Sequence, residues 1–392
     1  MVGVVARGVD GKTDASAGQQ KVARNGVIDL IRGWAVVSVV LLHANIRVPF
    51  DGSSLLHRLP RALSALLFWS GYWAVMVFFV VSGFLITRLS LQHWGALERV
   101  DVRAFYRLRF ARIAPMLALF VLVQSVLQSA RVTGFSDQQP AASLFATLLS
   151  VLTFRVNWLE AKVGYLPGAW DVLWSLSVEE LFYLAFPIVA RVVRPRLALT
   201  ALLLTLMLLG PFARVSSSSN EMWRDHSYLS CLGEIAIGCA AAWLSARWTP
   251  SRIGAVALLV SGAGLMLLVL FFRRAVNALG LYDLGLDVTV LSFGTAAVLI
   301  ACSATSAWVP LVAHVIFSPL RSLGRNSYEV YLSHLFVVIP AALLWKQHGS
   351  GPAIPLFYLG VVLGSGLLGA FLASAFSRPL SRRLRPQLPC PR

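Results

Sequence analysis

Charge is what this sequence has least of. Only 13% of its 392 residues are Asp, Glu, Lys or Arg, while 57% are hydrophobic, and the mean hydropathy is +0.73. A soluble domain carries about 25% charged residues, so a water-soluble fold of this length would lack the polar surface to coat its cores. Acidic residues are scarcer still, 17 against 34 Lys and Arg, for a net charge of +17. In a soluble protein that imbalance would point to nucleic acid. Here the basic residues fall between apolar runs, where they orient membrane spans and meet anionic lipid, so no nucleic-acid partner is expected. Cysteine is nearly missing. Cys231, Cys239, Cys302 and Cys390 show no paired short spacing, which argues against a disulfide framework or a zinc site, and no metal is expected. The first 26 residues hold no apolar core with a cleavage site and read as a disordered cytoplasmic arm, not a signal peptide.

What the sequence does have is a series of long apolar runs, near 27–47, 63–87, 110–130, 174–190, 197–213, 228–246, 253–272, 287–309, 327–345 and 355–376. Most approach the ~20 residues of a helical span, and they are continuous, not alternating, which excludes a barrel. The fold class expected is all-α: a polytopic membrane protein with about ten transmembrane helices around a central cavity. An eleventh segment, 143–159, is short and holds Arg155 and Asn157. Charge arbitrates its placement. If it does not cross, 22 Lys and Arg lie on the side of the N-terminus, 11 lie opposite, and Arg32 sits within a span. If it crosses, the two sides come out about even. The positive-inside rule therefore favours ten spans with N- and C-termini cytoplasmic, in the inner (plasma) membrane of a bacterium. Residues 131–173 then form an outer loop with a re-entrant or interfacial helix. The domains expected are an arm at 1–26, a membrane domain at 27–377 and a basic cytoplasmic tail at 378–392. No fixed-period repeat stands out.

Ionisable groups inside such spans cost at least ~2.5–3.5 kcal/mol each at mid-bilayer, which makes them functional candidates by default. The first span supplies Asp29, Arg32 and His43. Eleven helical steps separate Arg32 from His43, close to three full turns and ~16 Å along the axis, so both share one face with Asp29. The plain reading is an interfacial Asp29–Arg32 pair and a His43 bonded to a neighbouring helix. The functional reading makes His43 a general base, since imidazole has a reference pKa near 6.5. Arg109 and Arg112 stand one helical turn apart, so both can face one anion, although simple anchoring explains any basic cluster at this membrane face. In Trp174-Ser175-Leu176-Ser177-Val178-Glu179-Glu180, Ser177 and Glu180 match a capping box, whereas Glu179 points about 100° away and calls for a polar cavity. His334, inside the ninth run, reads as a hydrogen-bonded packing residue more readily than as a second base. Glu234 is a further candidate with its role open.

Together these segments resemble the membrane acyltransferase-3 family, whose members O-acylate sugars of surface polysaccharides, glycolipids or secondary metabolites. The resemblance rests on Ile28-Asp29-Leu30-Ile31-Arg32-Gly33 with His43, Phe78-Phe79-Val80-Val81-Ser82-Gly83-Phe84-Leu85-Ile86, Arg109-x-x-Arg112 with Pro115, the Trp174–Glu180 motif, and Leu323-Gly324-Arg325-x-Ser327-Tyr328 with Tyr331 and His334. All occur in the expected order, over nearly the whole chain after residue 26. The resemblance implies acyl-CoA, usually acetyl-CoA, as donor, with Arg109 and Arg112 holding the CoA end and Arg32 and His43 required for transfer. On this reading His43 takes the proton of an acceptor hydroxyl and Asp29 orients Arg32. Ser82 and Gly83 line the donor passage, while Glu179, Glu180 and Trp174 bind the acceptor, a glycan or lipid-linked sugar. Glycan-assembly machinery is an expected partner beside the lipid bilayer. Two positions depart from the family pattern: Ser377 stands before Arg378-Pro379, where an acidic residue is common, and Glu329 occupies a site usually small or apolar. The residues after the last span, 378–392, do not read as a hydrolase-like domain, so the acceptor is expected to be handled by the membrane domain or a partner. The rival reading is a proton-coupled transporter or flippase, for which Asp29, Arg32, His43 and Glu179 would form the pathway. Against it, no inverted repeat or matched pair of broken spans is visible.

Overall fold

The computed structural model describes residues 25–49, 58–136, 142–194, 196–305 and 314–385, and among these the chain forms helices and no strand. In chain order the helices are α1 (Gly26–Arg47), α2 (Arg61–Phe68), α3 (Gly71–Trp94), α4 (Val102–Ser129), α5 (Leu144–Leu152), α6 (Val156–Val163) and α7 (Leu173–Val192). There follow α8 (Arg196–Ser216), α9 (Glu221–His226), α10 (Tyr228–Ser245), α11 (Arg252–Phe271), α12 (Arg273–Ala278) and α13 (Asp287–Ala304). The last are α14 (Ser318–Arg325), α15 (Ser327–Ser333), α16 (Leu335–His348), α17 (Ile354–Leu372) and α18 (Arg378–Leu384). Nine helical segments among the described residues are long and apolar enough to cross a bilayer, and α15 with α16, bent by 43°, make a tenth if counted as one span. The expected arm at 1–26 lies outside the described residues up to residue 24. Of the expected tail, 386–392 lie outside them as well, while Arg378–Leu384 is helical.

Local chemistry sets the helix ends. Asn25 accepts the amide of Val27 and starts α1, Asp101 accepts that of Ala104 and starts α4, and Ser227 and Ser251 open α10 and α11 in the same way. Gly95, at φ +74, ends α3 in a conformation that costs glycine nothing. The 143–159 segment breaks into α5 and α6 around Phe154, held at φ +56. Helices of nine and eight residues rise only about 13 Å and cannot span a bilayer.

The bend between α15 and α16 falls at His334, whose ring Nδ1 bonds the Tyr331 carbonyl at 2.6 Å. A side chain inserted into the backbone ladder is one of the few causes of a sharp kink. The centre of the bundle is α3, α10 and α13, each two-thirds buried, whereas α8 and α11 turn most of their surface outward. Leu197, Leu208, Ile253 and Leu367 are among the exposed apolar residues on that outer surface, as lipid-facing positions require. Helices in lipid associate through close packing of small residues, and α3 crosses α10 in this manner. A Cβ on Gly83 would lie 2.1 Å from the Ile235 carbonyl oxygen, and one on Gly238 would lie 2.0 Å from that of Val80.

Candidate active site

Two groups of polar side chains meet near the middle of the fold, with one residue between them. The first lines a cavity of about 470 Å³ between α1, α3, α4, α7 and α15, within the range of small-molecule sites. Arg32 from α1, Ser82 from α3, Arg109 and Arg112 from α4, and Glu179 and Tyr183 from α7 all contribute to its wall, as does Arg385. Ser82 donates to Glu179 Oε1 at 2.5 Å, and Arg32 and Arg109 are the cations that act on this buried carboxyl. Arg109 lies over the rings of Phe105 and Tyr183, 5.6 and 5.4 Å from their centroids. Arg112 lies over Tyr328 and donates to Glu329 at 3.0 Å. Ser377 donates to the same Glu329 oxygen at 2.7 Å. The two positions that depart from the family pattern are therefore in contact, and the carboxylate at 329 faces the helix end where the family places one.

Val75, Phe78, Phe79, Ser175 and Tyr331 also line the cavity. The Tyr331 hydroxyl is tied to Ser175 at 2.7 Å and to the Val172 carbonyl at 3.1 Å. Behind Tyr331 lies the second group. His334 Nε2 approaches His43 Nδ1 to 3.2 Å, and His43 Nε2 faces Asp171 Oδ2 at 3.7 Å. Two backbone carbonyls fix the tautomers. His43 Nδ1 lies 2.9 Å from the Val39 carbonyl and His334 Nδ1 lies 2.6 Å from that of Tyr331. A carbonyl can only accept, so both Nδ1 atoms carry hydrogen. His334 Nε2 is then an acceptor for His43, and His43 Nε2 is the ring nitrogen that faces the Asp171 carboxylate. The side chains of His43 and Asp171 retain 14% and 20% of their exposure.

Asp171 continues into a third layer. Glu160 of α6 is fully buried, interacts with Asp171, and stands 3.9 Å from His226 Nδ1. Burial, and then the charge of Asp171, hold its pKa well above the usual carboxylate range. His226 stacks flat on Trp174, with centroids 3.9 Å apart and planes within 5°.

The sequence-derived residues divide between these groups. Arg32, Ser82, Arg109, Arg112 and Glu179 share the cavity. His43 lies beyond its end, not in its wall. Gly83 does not line the passage: its missing side chain is what lets α10 approach. Asp29 is buried with its carbonyl against Gly324 of α14, also outside the cavity wall. Glu179 lies on the arginine side, beside Ser82, and Trp174 supports His226. Glu180 points away from the cavity, toward Val156 and Leu117. The capping box at Ser177 and Glu180 is not formed, because a turn at Trp170–Val172 starts the helix earlier. Ser177 instead accepts the Val156 amide at 3.2 Å and caps α6. Asp171 and Glu160 escaped the sequence reading, and His334, read as packing, is the ring that meets His43. The available signal for Asp171 was a carboxylate three residues before Trp174, at the mouth of an apolar run.

Comparison with known proteins gives the family. An acyltransferase-domain profile matches residues 25–375. The protein YrhL of Bacillus subtilis, provisionally named a peptidoglycan O-acetyltransferase, is 28% identical over 338 residues, 80% of this chain and 48% of that protein. The O-acetyltransferase OatA of Staphylococcus aureus is 25% identical over 334 residues, 80% of this chain and 50% of its own length. The peptidoglycan O-acetyltransferase OatA of Listeria monocytogenes is 25% identical over 338 residues, 79% and 49% of the two chains. The chain thus spans about half the length of these relatives. No solved structure matches it significantly.

Proposed function

The chain belongs to the acyltransferase family matched over residues 25–375, and from that premise we propose that it moves an acyl group, acetyl in the first instance, from acyl-CoA on the cytoplasmic side to a hydroxyl of a cell-surface glycan. Peptidoglycan is the acceptor named for the Listeria relative and is the first acceptor to try here. A lipid-linked sugar or another surface polysaccharide has the same chemistry at its hydroxyl. The protein acts within the bacterial inner membrane, with the Arg109 end of the bundle inward, as the excess of basic residues on that side favours.

Arg109 and Arg112 bind the CoA phosphates through paired guanidinium forks. The pantetheine arm occupies the cavity beneath them, with its thioester toward Arg32, Ser82 and the Tyr331 end. Opening of the Tyr331–Ser175 contact brings the thioester carbonyl to the other side. There an acceptor hydroxyl, arriving from the α6 end, gives its proton to His43 Nε2 while its oxygen forms the new C–O bond. The C–S bond breaks, and the proton taken by His43 passes to the leaving CoA thiolate, which restores the neutral imidazole. Asp171 stabilises the imidazolium, and His334 fixes the ring by accepting from its Nδ1–H.

The single observation that carries this reading is the pairing of a cation-lined cavity with a tautomer-fixed imidazole one residue beyond its end. The test incubates purified protein in liposomes with labelled acetyl-CoA and a crude cell-envelope glycan fraction. Acceptor-dependent thiol release is expected from the wild type and absent from His43→Ala at equal protein level, a loss of about 10²–10⁴-fold for a missing general base. Unchanged transfer by His43→Ala would overturn the assignment.

A further inference from the structure

Glu160 is among the buried ionisable groups to which the mechanism above gives no task. Glu160 belongs to a helix of eight residues in the segment between two spans, yet its side chain is wholly buried. A carboxylate is rarely buried unless it is paired or neutralised. Its ion-pair partner among the described residues is His226, at 3.9 Å and only if that ring is charged. Among the described residues neither Glu160 oxygen has a hydrogen-bond partner at ordinary geometry, and the same holds for Asp171 Oδ1 and His226 Nδ1. Asp171, the group Glu160 interacts with, turns its other oxygen toward His43.

Two adjacent carboxyls cannot both be charged without large repulsion, so one keeps a proton. Asp171 has His43 on one side and the Arg47 guanidinium acting on it from α1. Glu160 has neither, and the proton rests there. The helix that carries it is fixed for the purpose: the Val156 amide is bound by Ser177, Asn157 donates to the His226 carbonyl at 2.9 Å, and Asn220 donates to that of Ala161 at 3.1 Å. The titratable groups facing Glu160 are Asp171 ahead of α7, His226 of α9, and Tyr165 in the loop after α6. The sequence of α5 contributes none.

We propose that Glu160 is a positioning residue that works as a neutral carboxylic acid, donating its proton to Asp171 Oδ1 and so holding the Asp171 charge against His43 Nε2. This rests on the reading of His43 as the base. It deepens that reading by assigning a second carboxyl, in the opposite protonation state, behind the first. Separating an acid and a carboxylate in this way is a recurrent device of active sites.

The sign of the pH effect follows. Glu160 has its pKa raised by burial and by the charge of Asp171, so the donor persists at pH values where an ordinary carboxyl has ionised and is lost as pH climbs through that raised value. Activity therefore falls at alkaline pH in the wild type. Glu160→Gln keeps an N–H donor that does not titrate, whereas Glu160→Ala removes the donor. In the liposome assay, Glu160→Ala lowers kcat by on the order of 100-fold, as a misplaced catalytic group does, with KM for acetyl-CoA unchanged. Glu160→Gln restores most of that kcat and loses the alkaline fall.

Infrared difference spectra give a reading that needs no acceptor. A protonated-carboxyl carbonyl band in the wild type at neutral pH, fading at alkaline pH and missing from Glu160→Gln, is expected. A Gln variant as impaired as the Ala variant, an alkaline limb identical in wild type and Gln, or no band difference would each overturn the inference. If these fail while His43→Ala is inactive, the His43 reading stands and Glu160 alone is wrong. If His43→Ala is active, the reading of the site fails first.

Discussion

Arg109 and Arg112 reach their cavity from a single helix, three residues apart, whereas the cluster around His43 draws on α1, α6, the turn before α7 and the bend after α15. His43 and His334 alone are separated by 291 residues. The first region is built of cations held over aromatic rings, tolerant of some shift because a phosphate can be met from several angles. The second is built of single hydrogen bonds that orient two imidazole rings, and tolerates little. On the proposed function, the first region is the binding site and the second the reaction centre.

The largest effect that would test this contrast is at Asp171. Asp171→Asn removes the charge opposite His43 Nε2, and kcat should fall by about 10²–10³-fold, in the range of removing one group that stabilises transition-state charge, while KM for acyl-CoA stays within twofold of wild type. A KM effect would merge the two regions into one. Next in size, Arg109→Ala with Arg112→Ala should raise KM for acyl-CoA by about 10–100-fold, the equivalent of one charge-assisted bond of about 1.5–3 kcal/mol, because Arg112 is already shared with Glu329, with kcat less affected. If only the acceptor KM moved, the cavity would not be the donor site. The smallest effect is at Glu329. Its carboxylate competes for Arg112 at 3.0 Å, so Glu329→Gln should lower KM for acyl-CoA by roughly two- to fivefold, the scale of a partly exposed ion pair. A rise in KM would mean that Glu329 aims Arg112 and does not compete for it.

How much was legible in the sequence follows the same division. The apolar runs named the spans, since twenty uncharged residues in a row have few other uses. The spacing of Arg109 and Arg112 placed them together because a helix does that arithmetic locally. Neither rule reaches across elements. Nothing in the run of residues around Asp171 says that it meets α1, and Glu160 sits in an amphipathic stretch that would pass for loop surface. His334 could have been suspected as a polar residue inside a span, yet its meeting with His43 depends on a bend that periodicity does not report. The error at Gly83 has the same origin. Adjacent to a cavity residue in sequence, it points to the other side of the helix and serves a crossing. The capping box failed because the helix start was set by Trp170–Val172, outside the motif.

The kink at His334 has a mechanical consequence. The residue that breaks the span is also the one whose ring touches His43, so the angle between α15 and α16 and the gap between the two imidazoles are one degree of freedom. A lever whose fulcrum lies at the reaction centre passes on whatever flexes its arms, including the stretch or compression a lipid layer imposes on a helix that fits it poorly. On the proposed role of His43, the thickness of the surrounding membrane is thereby a term in the geometry of proton transfer.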